Sequence, residues 1–160
     1  MKKINKMCSF YVNEWHLTMM LIPYINKEIQ EKGEIKIISE QNLELHIQSI
    51  LSRLSLKQEM KEQINKIDWK ETIKIEDKIE NSKENSKIIV IGNKEYIEKT
   101  NQIIEDNIIN KQITIINCYE VMQFNNNIEE ILCAHDKVLN TSGSRDIEEI
   151  FDGYNQKEVI

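Results

Sequence analysis

Residues 113–124 carry the densest chemistry in the chain, an apolar run that closes on Asn117-Cys118-Tyr119-Glu120. A thiol, a phenol and a carboxylate thus stand together at what reads as the end of a strand. Downstream, Ile128, Ile131, Leu132, His135, Val138 and Leu139 recur at helical spacing and put an imidazole on an apolar stripe. Ligands of open α/β sheets sit at the carboxyl ends of the strands. Tyr11 and Glu14 flank the turn after the first apolar run, and the first and last strands of a doubly wound sheet can lie side by side. The expected site is one concavity bordered by Tyr11, Glu14, Cys118, Tyr119 and His135, with His135 reaching in from the helix that follows the strand. Plain packing competes at each position. Cys118 can fill space as a small hydrophobe, Tyr119 can cover a sheet edge, and His135 can be a core or capping histidine with a backbone partner.

Other chemistries find less support. No Ser, Asp or Glu can be paired with His135 from sequence, so no hydrolase triad is argued. A phosphate-binding loop needs glycines and a Lys after the first strand. Here the turn reads Tyr11-Val12-Asn13-Glu14-Trp15-His16. Gly92-Asn93-Lys94 could hold an anion at a helix N-terminus, or be only a tight strand-to-helix turn. Cys133 and His135 are two apart and face different sides of a helix. With His16 and His46 in other segments, no metal site and no cofactor are expected.

The elements that would position these residues alternate. Strands are expected near residues 8–12, 34–39, 87–91 and 112–118, with a weaker strand or a helix tail near 63–68. A helix from Trp15 to about Lys32 carries Trp15, Met19, Ile22, Ile25 and Ile29 at helical spacing. Pro23 should kink it or mark a start nearby, and Gly33 is the C-cap candidate. Met19 and Met20 read as core. Asn42 is a plausible N-cap for a helix with Leu43, Ile47, Ile50, Leu51 and Leu54 on one side. Residues 70–86 read as a polar surface excursion. The His135 helix should end near Asn140 to Gly143, and Ser144 can cap a final helix over 144–154 with Ile147, Ile150, Phe151 and Tyr154 on one face. Strand–helix alternation implies an α/β fold, a mainly parallel sheet with helices on both faces.

At 160 residues the chain fits one domain with a real core. Its net charge of -6 and lack of a basic stripe argue against direct nucleic-acid binding. Nothing approaches the length of a membrane span, and the basic first residues lack the apolar core of a signal peptide. Three unevenly spaced cysteines do not make a disulfide framework. A reducing cytoplasm is the simplest inference.

The segments, in order, resemble the MEDS sensory domain, named for methanogens, methylotrophs and the dichloromethane regulator. Ser9-Phe10-Tyr11-Val12-Asn13-Glu14 resembles its opening strand and turn. Leu21-Ile22-Pro23-Tyr24-Ile25 with Gly33 resembles its Pro-containing helix. Residues 114–124 resemble its Cys-x-Tyr-Asp strand, and Glu130 to His135 with Val138 and Leu139 its His-bearing helix end. Glu120 replaces the usual Asp, and Asp136 the usual Pro. Gly92-Asn93-Lys94-Glu95-Tyr96 stands where the family has Gly-Glu-x-x-Trp, and the polar 70–86 stretch replaces a helix. The resemblance implies a RecA/KaiC-like fold without a functional P-loop. It also implies a regulatory input role, coupled to a signalling partner such as a histidine kinase or a transcription regulator.

The leading expectation is therefore a non-enzymatic sensory or regulatory domain that binds a small ligand or a partner protein, with self-association open. The alternatives are a nucleotide-binding α/β enzyme with a degenerate phosphate loop and a pure interaction module.

Overall fold

Isoleucine-rich runs dictate the centre of the molecule. β-branched side chains suit pleated strands buried on both faces. In the computed structural model, which describes residues 4–70, 74–108, 110–121, 128–140 and 143–146, these runs become β1 (Ile4–Tyr11), β2 (Ile35–Ser39), β3 (Lys87–Ile91) and β4 (Ile113–Glu120). β5 (Lys137–Asn140) and β6 (Gly143–Asp146) complete a six-stranded sheet of order β2-β3-β4-β1-β5-β6. Five strands are parallel and β6 is antiparallel. The fold is α/β.

The strand order sets the layers. The step from β1 to β2 runs opposite to all later steps, so right-handed crossovers put α1 (Glu14–Gln30) on one face and the helices that precede β3, β4 and β5 directly on the other. Leu17, Leu21 and Ile25 of α1 pack with Ile37, Ile89, Ile116 and Cys118. α2 (Glu44–Leu51) and α3 (Gln58–Asn65) join α1 there through Ile47, Leu51 and Ile64. α4 (Ile75–Glu80), α5 (Lys94–Asn107) and α6 (Ile128–Cys133) cover the second face, with Ile79, Ile97, Ile104, Ile131 and Leu132 against Cys8, Val90, Ile115 and Tyr119. Among the described residues no helix is long and apolar enough to cross a membrane.

Several expectations are corrected. Residues 58–65 are helical, so the 63–68 segment is a helix tail and not a strand. The 70–86 stretch contains α4, with Lys78, Ile79, Ser82 and Ser86 buried. Its anchor is the Lys78 ammonium, which donates to Ile37 O at 2.6 Å and lies 3.2 Å from Asp68 Oδ2. α1 buries its Leu17–Leu21–Ile25 side, leaving Trp15 and Met19 about half exposed. Arg53 covers the Trp15 ring at 5.3 Å. α1 runs through Pro23 and ends in a Schellman motif: Gly33 N donates to Glu28 O and Lys32 N to Ile29 O. Lys32 takes the positive φ of 61°. Gly33 is needed for space instead, since a Cβ there would lie 3.2 Å from Glu28 O and closer still to the Glu28 carboxylate. Asn42 precedes the cap position of α2, yet its side chain accepts from Glu44 N at 2.9 Å.

The largest change is at the C-terminal side. α6 ends at Cys133, and Val138 and Leu139 lie on β5. Asp136 ends the helix by tying back to β1: its N donates to Lys6 O at 2.7 Å and its carboxylate accepts from Lys6 N at 3.0 Å. The free edge of β1 then pairs with β5, Cys8 opposite Val138, which satisfies backbone groups a longer helix would leave open. Residues 143–146 form β6, so no helix begins at Ser144. The remainder of the expected final helix, 147–154, lies outside the described residues.

Candidate binding groove between α5 and α6

The carboxyl ends of the strands are where a parallel sheet offers a site. Tyr11 and Glu120 are register partners there. With Glu14, Glu40 and Asn93 they line a crevice of only about 50 Å³, far below the ~300–1,000 Å³ of small-molecule pockets. Both helix N-termini nearby are satisfied from within. Asn13 Oδ1 accepts from His16 N, and Val12 N donates to His16 Nδ1. At α5, Asn93 Oδ1 accepts from Tyr96 N at 2.7 Å. The Glu40 carboxylate accepts from both Asn93 N (3.0 Å) and Asn93 Nδ2 (3.2 Å). The anion position of the Gly92-Asn93-Lys94 turn is therefore filled by the chain's own carboxylate. Gly92 permits that closeness, because a Cβ would come 2.6 Å from the Tyr96 ring and 3.1 Å from Glu40 Cβ. Burial, then Cys118 and the acids Glu120, Glu14 and Glu40, push the Tyr11 hydroxyl well above its ordinary range. It stays a protonated donor in an acidic mouth.

The expected single concavity does not form. Successive residues of a strand face opposite sides of a sheet, so Cys118 and Tyr119 part company. Cys118 sits fully buried in the α1 layer. Burial, then Cys8, pushes its thiol far up, and burial pushes Cys8 to about 12. Both thiols are protonated packing groups and not nucleophiles. Tyr11 and Glu14 stay at the acidic mouth, while Tyr119 and His135 come together on the other face.

There they meet two residues that the site expectation omitted. Asn117 lies inside β4, on the Tyr119 side, and Asn101 lies on the inner side of α5 between Ile97 and Ile104. The two amides pair reciprocally, Asn101 Nδ2 to Asn117 Oδ1 at 2.8 Å and Asn117 Nδ2 to Asn101 Oδ1 at 3.0 Å. Asn101 Nδ2 also donates to Ile97 O. His135 joins through Nε2, 3.0 Å from Asn117 Nδ2, and its Nδ1 lies 2.6 Å from Ile131 O. A carbonyl only accepts, so Nδ1 carries the hydrogen and Nε2 accepts from Asn117. The Tyr119 ring meets the imidazole edge-on at 5.8 Å and stacks on Phe10 at 5.9 Å. All four of Asn101, Asn117, Tyr119 and His135 are buried.

This network floors a groove of about 300 Å³ between α5 and α6, with Ile97 and Ile131 as apolar walls. Lys94 approaches Glu130 at 3.7 Å across the mouth, and Lys6 meets Glu105 at 2.8 Å. These exposed pairs are worth at most about 1 kcal/mol each, so they shape the opening without sealing it. Burial, followed by Cys8, Cys118 and Glu98, pushes the Tyr119 hydroxyl up, so it too remains protonated. The floor offers neutral amides, an imidazole and a phenol. Among the described residues no cluster of three His, Cys, Asp or Glu could hold a metal ion. The missed signal was in the pattern: Asn101 follows Ile97 by four and precedes Ile104 by three, and Asn117 alternates with Tyr119. Comparison with known sequence families, with curated proteins and with solved structures finds no match.

Proposed function

We propose that this chain is a non-enzymatic regulatory domain that takes a small, hydrogen-bonding ligand in the groove between α5 and α6. One observation carries the reading: the buried Asn101–Asn117–His135 network opens into that groove, while the carboxyl-end crevice is small and acidic. Buried polar groups cost free energy unless hydrogen-bonded. A strand this apolar keeps an amide at its centre at some expense, and a neutral hydrogen-bonding ligand with an apolar body matches what the floor presents. The resemblance to MEDS sensory domains supports the same role. In that reading the groove is the input and a signalling protein, such as a histidine kinase or a transcription regulator, reads the α5–α6 side. Nucleotide hydrolysis gains no support from a turn without a phosphate loop beside Glu14, Glu40 and Glu120.

The test is a thermal-shift panel of small amides, amino acids, nucleobases and ATP, on the wild type and on Ala134→Trp. Ala134 is exposed at the groove, so a bulky side chain there obstructs the opening without touching the network. A ligand at 100 times its dissociation constant stabilises by about 2.7 kcal/mol. The expected result is a shift with a neutral ligand that Ala134→Trp abolishes. ATP binding at micromolar concentration, or a ligand shift indifferent to Ala134→Trp, would overturn the reading.

A further inference from the structure

The buried amides of the groove between α5 and α6 can be counted hydrogen by hydrogen. Each Asn side chain carries two N–H donors and an oxygen with two lone pairs. Asn101 Nδ2 donates to Ile97 O and to Asn117 Oδ1, both at 2.8 Å. Asn117 Nδ2 donates to Asn101 Oδ1 and to His135 Nε2, both at 3.0 Å. Every N–H hydrogen of the pair is therefore spent inside the protein. Each oxygen accepts one bond among the described residues, so a lone pair is left on each.

The orientation of both amides is fixed from two ends. Ile97 O only accepts, so the nitrogen of Asn101 faces it and not the oxygen. At the other end Ile131 O takes the Nδ1 hydrogen of His135 at 2.6 Å, which leaves Nε2 as an acceptor and turns the Asn117 nitrogen towards it. The two assignments are independent, and they bring N–H against oxygen at both contacts of the amide pair. Turning either amide over would set like groups against each other.

We infer that the groove selects a neutral ligand that leads with an N–H or O–H donor and rejects one of the same shape that carries only acceptors. The inference rests on the groove being a ligand site, as proposed above, and adds the direction of its hydrogen bonds. Asn101 and Asn117 both line the groove, and lone pairs are all they have to offer it. A ligand donor adds a bond to one of these oxygens and breaks none. A ligand acceptor must take an N–H from Ile97 O, from His135 or from the partner amide, and the group it displaces is left buried and unpaired. The mouth disfavours anions, because the carboxylates of Glu98, Glu105 and Glu130 outnumber the ammoniums of Lys6 and Lys94 and already pair with them. The Tyr119 hydroxyl can donate or accept and favours neither class.

Two pairs of matched shape test this on the full chain. Indole has an N–H where benzofuran has an oxygen, and cyclohexanol an O–H where cyclohexanone has a carbonyl. Titration into protein labelled with nitrogen-15 asparagine reads affinity and site together. Indole and cyclohexanol should bind at least about fivefold tighter than their counterparts, the worth of one net hydrogen bond. They should shift the side-chain amide signals of Asn101 and Asn117, whose hydrogens stay slow to exchange, and Ala134→Trp should abolish both effects. Equal affinity within each pair, tighter binding of the acceptor, faster exchange of those hydrogens on binding, or no binding by any of these compounds at millimolar concentration overturns the inference. If Ala134→Trp still blocks ligands that show no donor preference, the groove stands as a ligand site and only the preference falls. Binding indifferent to Ala134→Trp overturns both.

Discussion

Replacing Lys78 with Met tests whether one buried charge holds α4 to the rest of the fold. The substitution keeps most of the apolar stem and removes the ammonium. In the native protein that ammonium is 3% exposed, and it faces Ile37 O at 2.6 Å, Asp68 Oδ2 at 3.2 Å and Asp68 O at 3.5 Å. At an effective dielectric of about 20, a charge pair at such a distance is worth roughly 5 kcal/mol, before desolvation is subtracted. The observable loss is set by what remains. The Asp68 carboxylate is 14% exposed, and it would lose the Lys78 ammonium as a partner. Removing one partner of a buried pair costs about 3–5 kcal/mol. For a chain of this length that lowers Tm by on the order of 10 °C, a large share of a typical stability of ~5–15 kcal/mol. The assay is urea unfolding followed by Trp69, which is buried beside Asp68 and donates to Ile64 O at 2.9 Å. The pair Lys78→Met/Asp68→Leu should recover most of the loss, because an apolar replacement of a whole buried pair is often neutral. A Lys78→Met loss under about 1 kcal/mol, within the range of an exposed pair, would refute the argument, as would additivity of the two substitutions.

Four further outcomes are expected. Asn117→Leu should cost about 1–3 kcal/mol, because Asn101 and His135 lose buried partners; Asn101→Leu combined with it should cost less than the sum, measured by the same unfolding curves. Asn93→Ala removes the α5 cap and a Glu40 partner and should cost about 1 kcal/mol, read as a lower denaturation midpoint at unchanged slope. Stability should fall in alkali: burial raises Cys8 from 9.0 to about 12, so its contribution is complete below pH 9.0 and is lost as pH rises towards about 12. The raised Cys118, Tyr11, Tyr24 and Tyr119 act in the same direction. Residue-resolved alkylation should find Cys8 and Cys118 unreactive until the protein unfolds; labelling in the native state would contradict the burial argument.

The isoleucine runs made the parallel core legible, because strands covered on both faces are continuously apolar and few other arrangements absorb them. Two features escaped for opposite reasons. α4 looked solvated because Lys78 reads as surface, and only the fold brings Asp68 and the Ile37 carbonyl to it. The His135 segment looked helical because Val138 and Leu139 fit a 3.6-residue period, yet the open edge of β1 needed a pairing partner and took them as a strand. The split of Cys118 from Tyr119, by contrast, was available from strand alternation alone. Reading the pair as one cluster at a strand end overlooked that the strand continues to Glu120 and that neighbours on it face opposite layers.

That split relocates the chemistry. In a parallel sheet the carboxyl ends gather helix N-termini, whose unpaired N–H groups and dipoles favour anions. Here each of those attractions is met internally, by Asn13 at α1 and by Asn93 with Glu40 at α5. Glu14 and Glu120 then add negative charge to a crevice of about 50 Å³. Opening it to an anionic ligand would require displacing Glu40 and neutralising the remaining acids together, since either change alone leaves the mouth blocked or repulsive. Among the described residues, no carboxylate is bonded to the amide pair under α5 and α6. Its hydrogen bonds are among neutral groups, which can exchange partners with a neutral ligand without moving a charge. In the proposed reading, a sheet whose carboxyl ends are filled by its own carboxylates takes its ligand on the face covered by α5 and α6 instead.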